Sequence, residues 1–185
     1  MQAVATGDQQ AFTSLFRRYY RTIFQFACRM TASPEAAEDL TQECFIRILR
    51  SAARFNASRG SLRVYLYTTA RNLAIRESGK HRHDLWPDDE DSPGPADDAI
   101  GPEESVLRLE ASEVVEKAVH VLPPAQKEVL ILIEYQDLTL EEAAQVAGLD
   151  VGAVKSRLHR ARVNLKKLLA PYFGRERMTN GPVER

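Results

Sequence analysis

The chain has 185 residues, 44% hydrophobic and 28% charged, with 25 Lys and Arg against 26 Asp and Glu for a formal net charge of −1. That length and balance suit one moderate core or two small ones in a folded, water-soluble protein rather than a disordered chain. No apolar run approaches the roughly 18 residues of a membrane span, so no membrane insertion is expected; "MQAVATGD" carries neither a basic nor an apolar stretch to mark secretion, which makes the cytoplasm the expected compartment.

Apolar residues recur at helical spacing nearly everywhere, with no alternating strand pattern and no internal repeat. The expected fold class is all-α: two small helical domains joined by a flexible acidic linker, the second containing a helix-turn-helix. A first helix starts near Asp8 as N-cap and buries Phe12, Leu15, Tyr19, Ile23, Phe26 and Met30. Ser33 caps a second, with Pro34 at its first position and Glu35 and Glu38 near the positive end of its dipole. After a turn at "NASRGS", a third helix buries Leu62, Leu66, Ala70 and Leu73 and ends at Gly79. Cys28 and Cys44 fall inside helical apolar patterns and read as buried free thiols.

Composition changes abruptly at residues 84–104, "DLWPDDEDSPGPADDAIGPEE", which hold nine acids, four prolines and no Lys or Arg. Neither a helix nor a core is compatible with that stretch. It is a solubilising spacer or a nucleic-acid mimic drawn to basic surfaces elsewhere, and the residues alone leave both readings open. Helices resume after Pro102, with Val106, Leu107, Val114, Val115, Ala118 and Leu122 inward; Pro123 and Pro124 break that helix and start the next, which buries Val129, Leu130 and Ile133. Thr139 and Glu142 form a capping box for the short helix "LEEAAQVA", Gly148 takes the left-handed position after it, and Asp150 caps a last helix running to about Ala170, before Pro171. Two helices joined by "GLD" have the form of a helix-turn-helix.

That last helix, "GAVKSRLHRARVNLKKLL", carries six Lys or Arg and no acid. On an ideal helical wheel Val154, Leu158, Ala161, Leu165 and Leu168 form one apolar seam. The opposite face presents Gly152, Ser156, His159 and Arg160, flanked by Lys155, Arg157 and Arg162. One-signed charge on the second helix of a helix-turn-helix suits the major groove, where its first residues reach base edges and flanking cations bind phosphates. A second basic stretch, from Phe55 to His83, interleaves Arg59, Arg63, Arg71, Arg76, Lys80 and Arg82 with Phe55, Tyr65 and Tyr67. Rings beside cations suit single-stranded DNA, although Tyr65 and Leu66 fit a core equally well. Asp39, Gln42, Glu43 and Ile46 share one face of the second helix, and composition alone makes that face a solvated acidic edge.

Together, "LPPAQKEVLILIEYQDLTLEEAAQVAGLDVGAVKSRLHRARVNLKKLL" and, before it, "AAEDLTQECFIRIL" with "YLYTTARNLAIRE" closely resemble bacterial RNA polymerase sigma factors of the extracytoplasmic-function (ECF) type. The resemblance spans about Gln10 to Tyr172. It implies a non-enzymatic alternative sigma factor that binds core RNA polymerase and promoter DNA, with an anti-sigma factor as a further partner and no cofactor. By resemblance, residues 8–83 dock on the polymerase through Asp39, Gln42, Glu43 and Ile46 and melt the −10 element. The loop from Phe55 to Ser61, with Asn56 and Arg59, would hold an extruded base, and Arg63, Arg71, Asn72, Arg76, Lys80 and Arg82 would follow the strand. Residues 84–104 would be the linker, residues 105–172 would read the −35 element through Lys155, Ser156, Arg157, His159, Arg160 and Arg162, and residues 173–185 would form a disordered tail. The chain departs from the family at Tyr65, where Trp is usual, at Arg76, where Asp is usual, and at "GKHRH", where arginines are usually denser.

Two rival readings bear on the same residues. A helix-turn-helix regulator without a sigma role would share the last domain but leave the Asp39 face without a use. An enzyme would need a phosphate loop, a catalytic pair or a metal cluster; the sequence offers none, Cys44 has no evident base partner, and His81 and His83 lack further ligands at metal spacing.

Overall fold

A computed structural model describes residues 1–31, 33–81 and 107–173. Among them every regular element is helical: α1 (Gln2–Ala5), α2 (Gln9–Thr31), α3 (Pro34–Arg50), α4 (Leu62–His81), α5 (Leu107–His120), α6 (Pro124–Leu130), α7 (Leu140–Ala147) and α8 (Val151–Phe173), with short 3₁₀ turns at Ala52–Arg54 and Ala57–Arg59. The acidic stretch 84–104, Val106, Arg82, His83 and nearly all of the expected tail lie outside the described residues.

The N-terminal half forms where its local chemistry requires. The Asp8 carboxylate accepts the backbone N–H groups of Gln10 and Ala11, at 2.9 and 3.0 Å, and starts α2. Ser33 accepts the N–H of Ala36 at 3.3 Å and Pro34 occupies the first turn of α3. Helices α2, α3 and α4 then enclose Ile23, Phe26, Ile48, Leu66 and Tyr67, all at most 2% exposed. The Phe26 and Tyr67 rings meet edge-on at 5.5 Å, a geometry worth about 0.5–1.5 kcal/mol beyond the area buried. Cys44 is wholly inside this core and Cys28 half-buried, both as free thiols. Burial pushes the Cys44 thiol up to about 12, so it stays protonated and unreactive.

In the C-terminal half, Pro123 and Pro124 end one helix and open α6. Past Leu130 the helix widens into a π turn at Ile131–Tyr135, closed by a 3.1 Å bond from the Gln136 N–H to the Ile131 carbonyl, five residues back. The capping box at α7 is complete in both directions: Thr139 Oγ1 accepts the N–H of Glu142, whose carboxylate accepts the N–H of Thr139. Gly148 takes φ +70° in the turn, and Asp150 accepts the N–H of Ala153 at 2.8 Å to start α8. Val154, Leu158 and Ala161 are buried and Leu165 and Leu168 partly so, seating α8 on α6 and α7.

Four expectations need correction. Helix α1 precedes Asp8, fixed by buried Val4. Helix α4 passes Gly79 to His81, because a glycine inside a helix costs only about 1 kcal/mol and nothing after it breaks the ladder. Helix α8 continues through Pro171 to Phe173, since near a helix end the missing N–H forfeits one bond in a turn already short of partners. The π turn has no counterpart in the periodicity, which treats the stretch as ordinary helix.

Candidate nucleic-acid and polymerase interfaces

The basic face of α8 is presented to solvent. Lys155, Ser156, His159, Arg160 and Arg162 are exposed and Arg157 half-buried. Arg160 donates to Ser156 Oγ at 3.1 Å, one turn back, which extends its guanidinium along the helix surface. Arg162 is held from behind by Glu134 of the π turn, through Nε at 3.0 Å and through its terminal nitrogen. At Gly152 a Cβ would come within 2.9 Å of Asp150 Oδ1, so the absent side chain keeps the helix cap intact as well as opening the backbone to a ligand. The geometry is that of a rigid, one-signed surface whose flexible cations are steered by neighbours in the same domain.

Helix α3 presents Asp39, Gln42 and Ile46 to solvent, with Glu43 half-buried. Ile46 is 42% exposed and Leu49, three residues on, 46%. Sequence reasoning missed Leu49, although the steps of three and four that link Asp39, Gln42 and Ile46 reach it with one further step of three. Arg47 binds Glu43 at 2.6 Å and holds its carboxyl below the usual carboxylate range, with Arg76 among the weaker electrostatic contributions. Arg76, grouped by sequence with the single-strand contacts, is thus within electrostatic reach of the α3 face.

The basic stretch of the N-terminal half divides into two groups. Asn56, Arg59, Asn72 and Arg76 are exposed, and Lys80 lies in the last turn of α4. Asn56 caps its own 3₁₀ turn by accepting from the Ser58 N–H and hydroxyl at 2.9 and 2.8 Å. The Phe55 ring is half-buried against Tyr65 at 5.4 Å, and the Tyr65 hydroxyl lies 2.6 Å from Ser51 Oγ, so both rings lean into the fold. Arg63 and Arg71 instead reach across to the C-terminal half. Arg71 binds Glu128, whose side chain is 1% exposed, through Nε and again at 3.5 Å. Arg63 donates to the carbonyls of Gln136 and, at 3.1 Å, Asp137, and lies 3.9 Å from the Glu142 carboxylate. The Tyr67 hydroxyl donates to Gln136 Oε1 at 2.7 Å. From α2, Arg29 binds Glu116 at 2.8 Å and lies over the Tyr135 ring at 4.1 Å. The sequence signal for one of these partners is Glu128 itself, an acid in the apolar run "EVLIL" that needs a cation from outside its helix.

Residues 15–83 match the family model Sigma-70 region 2, and residues 112–165 match Sigma-70, region 4. A helical first half bearing an exposed acidic and apolar helix, followed by a helix-turn-helix, is the arrangement of a sigma-70-type initiation factor. The chain is 32% identical over 177 residues to the ECF RNA polymerase sigma factor SigW of Bacillus subtilis, covering 91% of this chain and 94% of that one. It is 32% identical over 173 residues to the RNA polymerase sigma factor YlaC of the same organism, covering 92% and 98%. Its fold superposes on the structure of CnrH in complex with the cytosolic domain of CnrY with a TM-score of 0.70, at 25% identity and over 92% and 95% of the two chains. The chain belongs to the ECF sigma factors of RNA polymerase, DNA-binding subunits that direct transcription initiation at promoters.

Proposed function

We propose that residues 8–83 dock on core RNA polymerase and open the −10 element, that residues 105–172 read the −35 element, and that residues 84–104 connect the two, with 173–185 as a tail. In this reading Asp39, Gln42, Glu43 and Ile46, extended by Leu49, meet the polymerase. Phe55, Asn56, Arg59, Arg63, Arg71, Asn72, Arg76, Lys80 and Arg82 serve the melted −10 strand. Lys155, Ser156, Arg157, His159, Arg160 and Arg162 serve the −35 duplex. An anti-sigma factor, the further partner that membership of the family implies, keeps the chain from polymerase until it is needed. The chain acts in the cytoplasm by binding, and bond formation belongs to the polymerase.

The observation that carries this reading is the exposed one-signed face of α8 on a fully capped helix-turn-helix, in a chain that also exposes Ile46 and Leu49 beside Asp39 and Gln42. Run-off transcription with bacterial core polymerase tests it: adding the chain is expected to start discrete transcripts on genomic promoters. The Asp39→Arg, Gln42→Glu double variant should lose core binding while its affinity for duplex DNA is unchanged. Absence of both co-purification with core and discrete transcripts would refute the reading, and undiminished core affinity in the double variant would misplace the docking face.

A further inference from the structure

We infer that helix α1 is a positioning element for the −10 loop: Val4, buried in the helix that packs on the turn Ala52–Arg54, sets where Phe55 and Asn56 stand when the loop from Phe55 to Ser61 takes an extruded base. The inference rests on the assignment of that loop to the −10 element and adds what holds it in place.

A loop that must hold an unstacked base needs its shape before the base arrives, and it keeps that shape only through the groups behind it. Here the backing is slight. No residue from Ala53 to Ser61 is buried; Phe55 and Gly60 are half-buried and the others exposed. The 3₁₀ turn Ala57–Arg59 is held from within, by Asn56, and so moves as a unit. At the exit of the loop Ser61 accepts the N–H of Val64 at 3.2 Å, which fixes that end to α4. The entry has two supports. On one side Tyr65 of α4 packs its ring against Phe55; the Ser51 hydroxyl donates to the Arg47 carbonyl, so the Tyr65 hydroxyl donates to Ser51 Oγ. The second support is Ala52, 4% exposed, whose carbonyl accepts the N–H of Phe55 at 3.2 Å. Helix α1 packs on this turn and on α2, and its Val4 is likewise 4% exposed.

What α1 contributes is local to that entry. Val4 and Ala52 both lie apart from the main apolar cluster of the fold, so the core does not depend on them. Nor does α2 need α1 in order to start, since the Asp8 carboxylate already accepts the N–H groups of Gln10 and Ala11. A helix of four residues does not persist by itself. It is tied to α2 by a tight turn in which the Asp8 N–H donates to the Ala3 carbonyl at 3.0 Å and Gly7 takes φ +87°, a conformation open to glycine at little cost. One end of α1 is thus fixed to a long, capped helix, and its one buried side chain lies at the turn that feeds the loop. It works as a strut between α2 and Phe55. Displacing a positioned group by about 1 Å costs up to about 100-fold in the step it serves, so a small shift at Ala52 is enough to register at the −10 element.

The experiment uses holoenzyme assembled from core polymerase and either wild type or Val4→Ala, on a genomic promoter from which the wild type starts transcripts. Val4→Ala should open the −10 element about 10-fold less, read as permanganate reactivity of its thymines, and should select −10 bases from a randomised library about 10-fold less sharply at one position. Its affinities for core and for −35 duplex should equal those of wild type, and the conservative Val4→Ile should open the promoter as wild type does. Gly7→Ala adds a methyl with nothing within 4 Å of it, so it strains only the backbone that aims α1, and should act in the same direction. Unchanged opening and selection in both α1 variants, with Asn56→Ala still defective, would overturn the inference and leave the −10 assignment standing. If Asn56→Ala is also without effect, the assignment falls and the inference with it. A loss of core affinity in Val4→Ala that matches its loss of opening would make α1 a general support of the fold, and would equally overturn the inference.

Discussion

Arg63 and Arg71 on α4 and Arg160 and Arg162 on α8 lie in stretches of similar character, rich in positive charge and poor in neighbouring acids. In the fold their situations differ. The α4 pair is bound by groups 57 to 74 residues further along the chain, including a buried carboxylate. The α8 pair meets Ser156 and Glu134 within its own half and stays at the surface. Local charge therefore shows where anions are attracted, and only tertiary packing shows which cations are available to them.

The comparison can be broken most forcefully from behind α8. Leu158, 6% exposed beneath the basic face, fixes that face to α7, and Leu158→Ala is expected to cost about 2–5 kcal/mol of stability. Duplex binding should fall with it, whereas single-strand binding in the holoenzyme should persist; melting curves and anisotropy check both. Next in size is Arg160→Ala, expected to lose about 1–3 kcal/mol at one −35 position and to relax preference there, as selection from a randomised promoter library would show. Thr139→Ala removes half of the capping box and should cost about 0.5–2 kcal/mol in thermal unfolding, with little change in which sequence is chosen. Lys155→Ala should weaken all duplexes alike and reduce the slope of log affinity against log salt by about 0.9.

The smallest effect is one of pH. Burial holds the His120 imidazole below its ordinary value of 6.5, and Lys127 and Arg29 add to the shift against Glu116. A histidine more acidic in the folded than in the unfolded state contributes stability above 6.5, and that contribution is lost as pH falls through and below it. His120→Gln should flatten this part of the stability profile, measured by chemical denaturation on either side of that value.

What the sequence revealed of this fold is what is decided within a few residues. Asp8, Ser33, Thr139 with Glu142, Gly148 and Asp150 each act on backbone groups two to four positions away, and all take the roles that their chemistry implies. The apolar seam of α8 follows equally from local spacing. The partners of Arg63 and Arg71 do not, because Glu128 and Gln136 lie in the other half and read locally as parts of a helix. Phe55 and Tyr65 show the same limit: an aromatic beside cations serves a core or a base equally well, and here the rings pack on each other. Leu49 was within reach of the periodicity, but a lone leucine at a helix end is most simply read as buried.

The widened turn at Ile131–Tyr135 amounts to one extra residue spliced into a helix. Deleting any single residue there would restore ordinary pitch and swing each neighbouring side chain by about 100°. Tyr135 would turn from Arg29, Glu134 from Arg162 and Gln136 from Tyr67, while the caps at Thr139 and Gly148, set further along, would still form. A substitution in this stretch removes one contact, whereas a deletion uncouples several surfaces at once. For these five positions the number of residues carries more of the structure than their identities do.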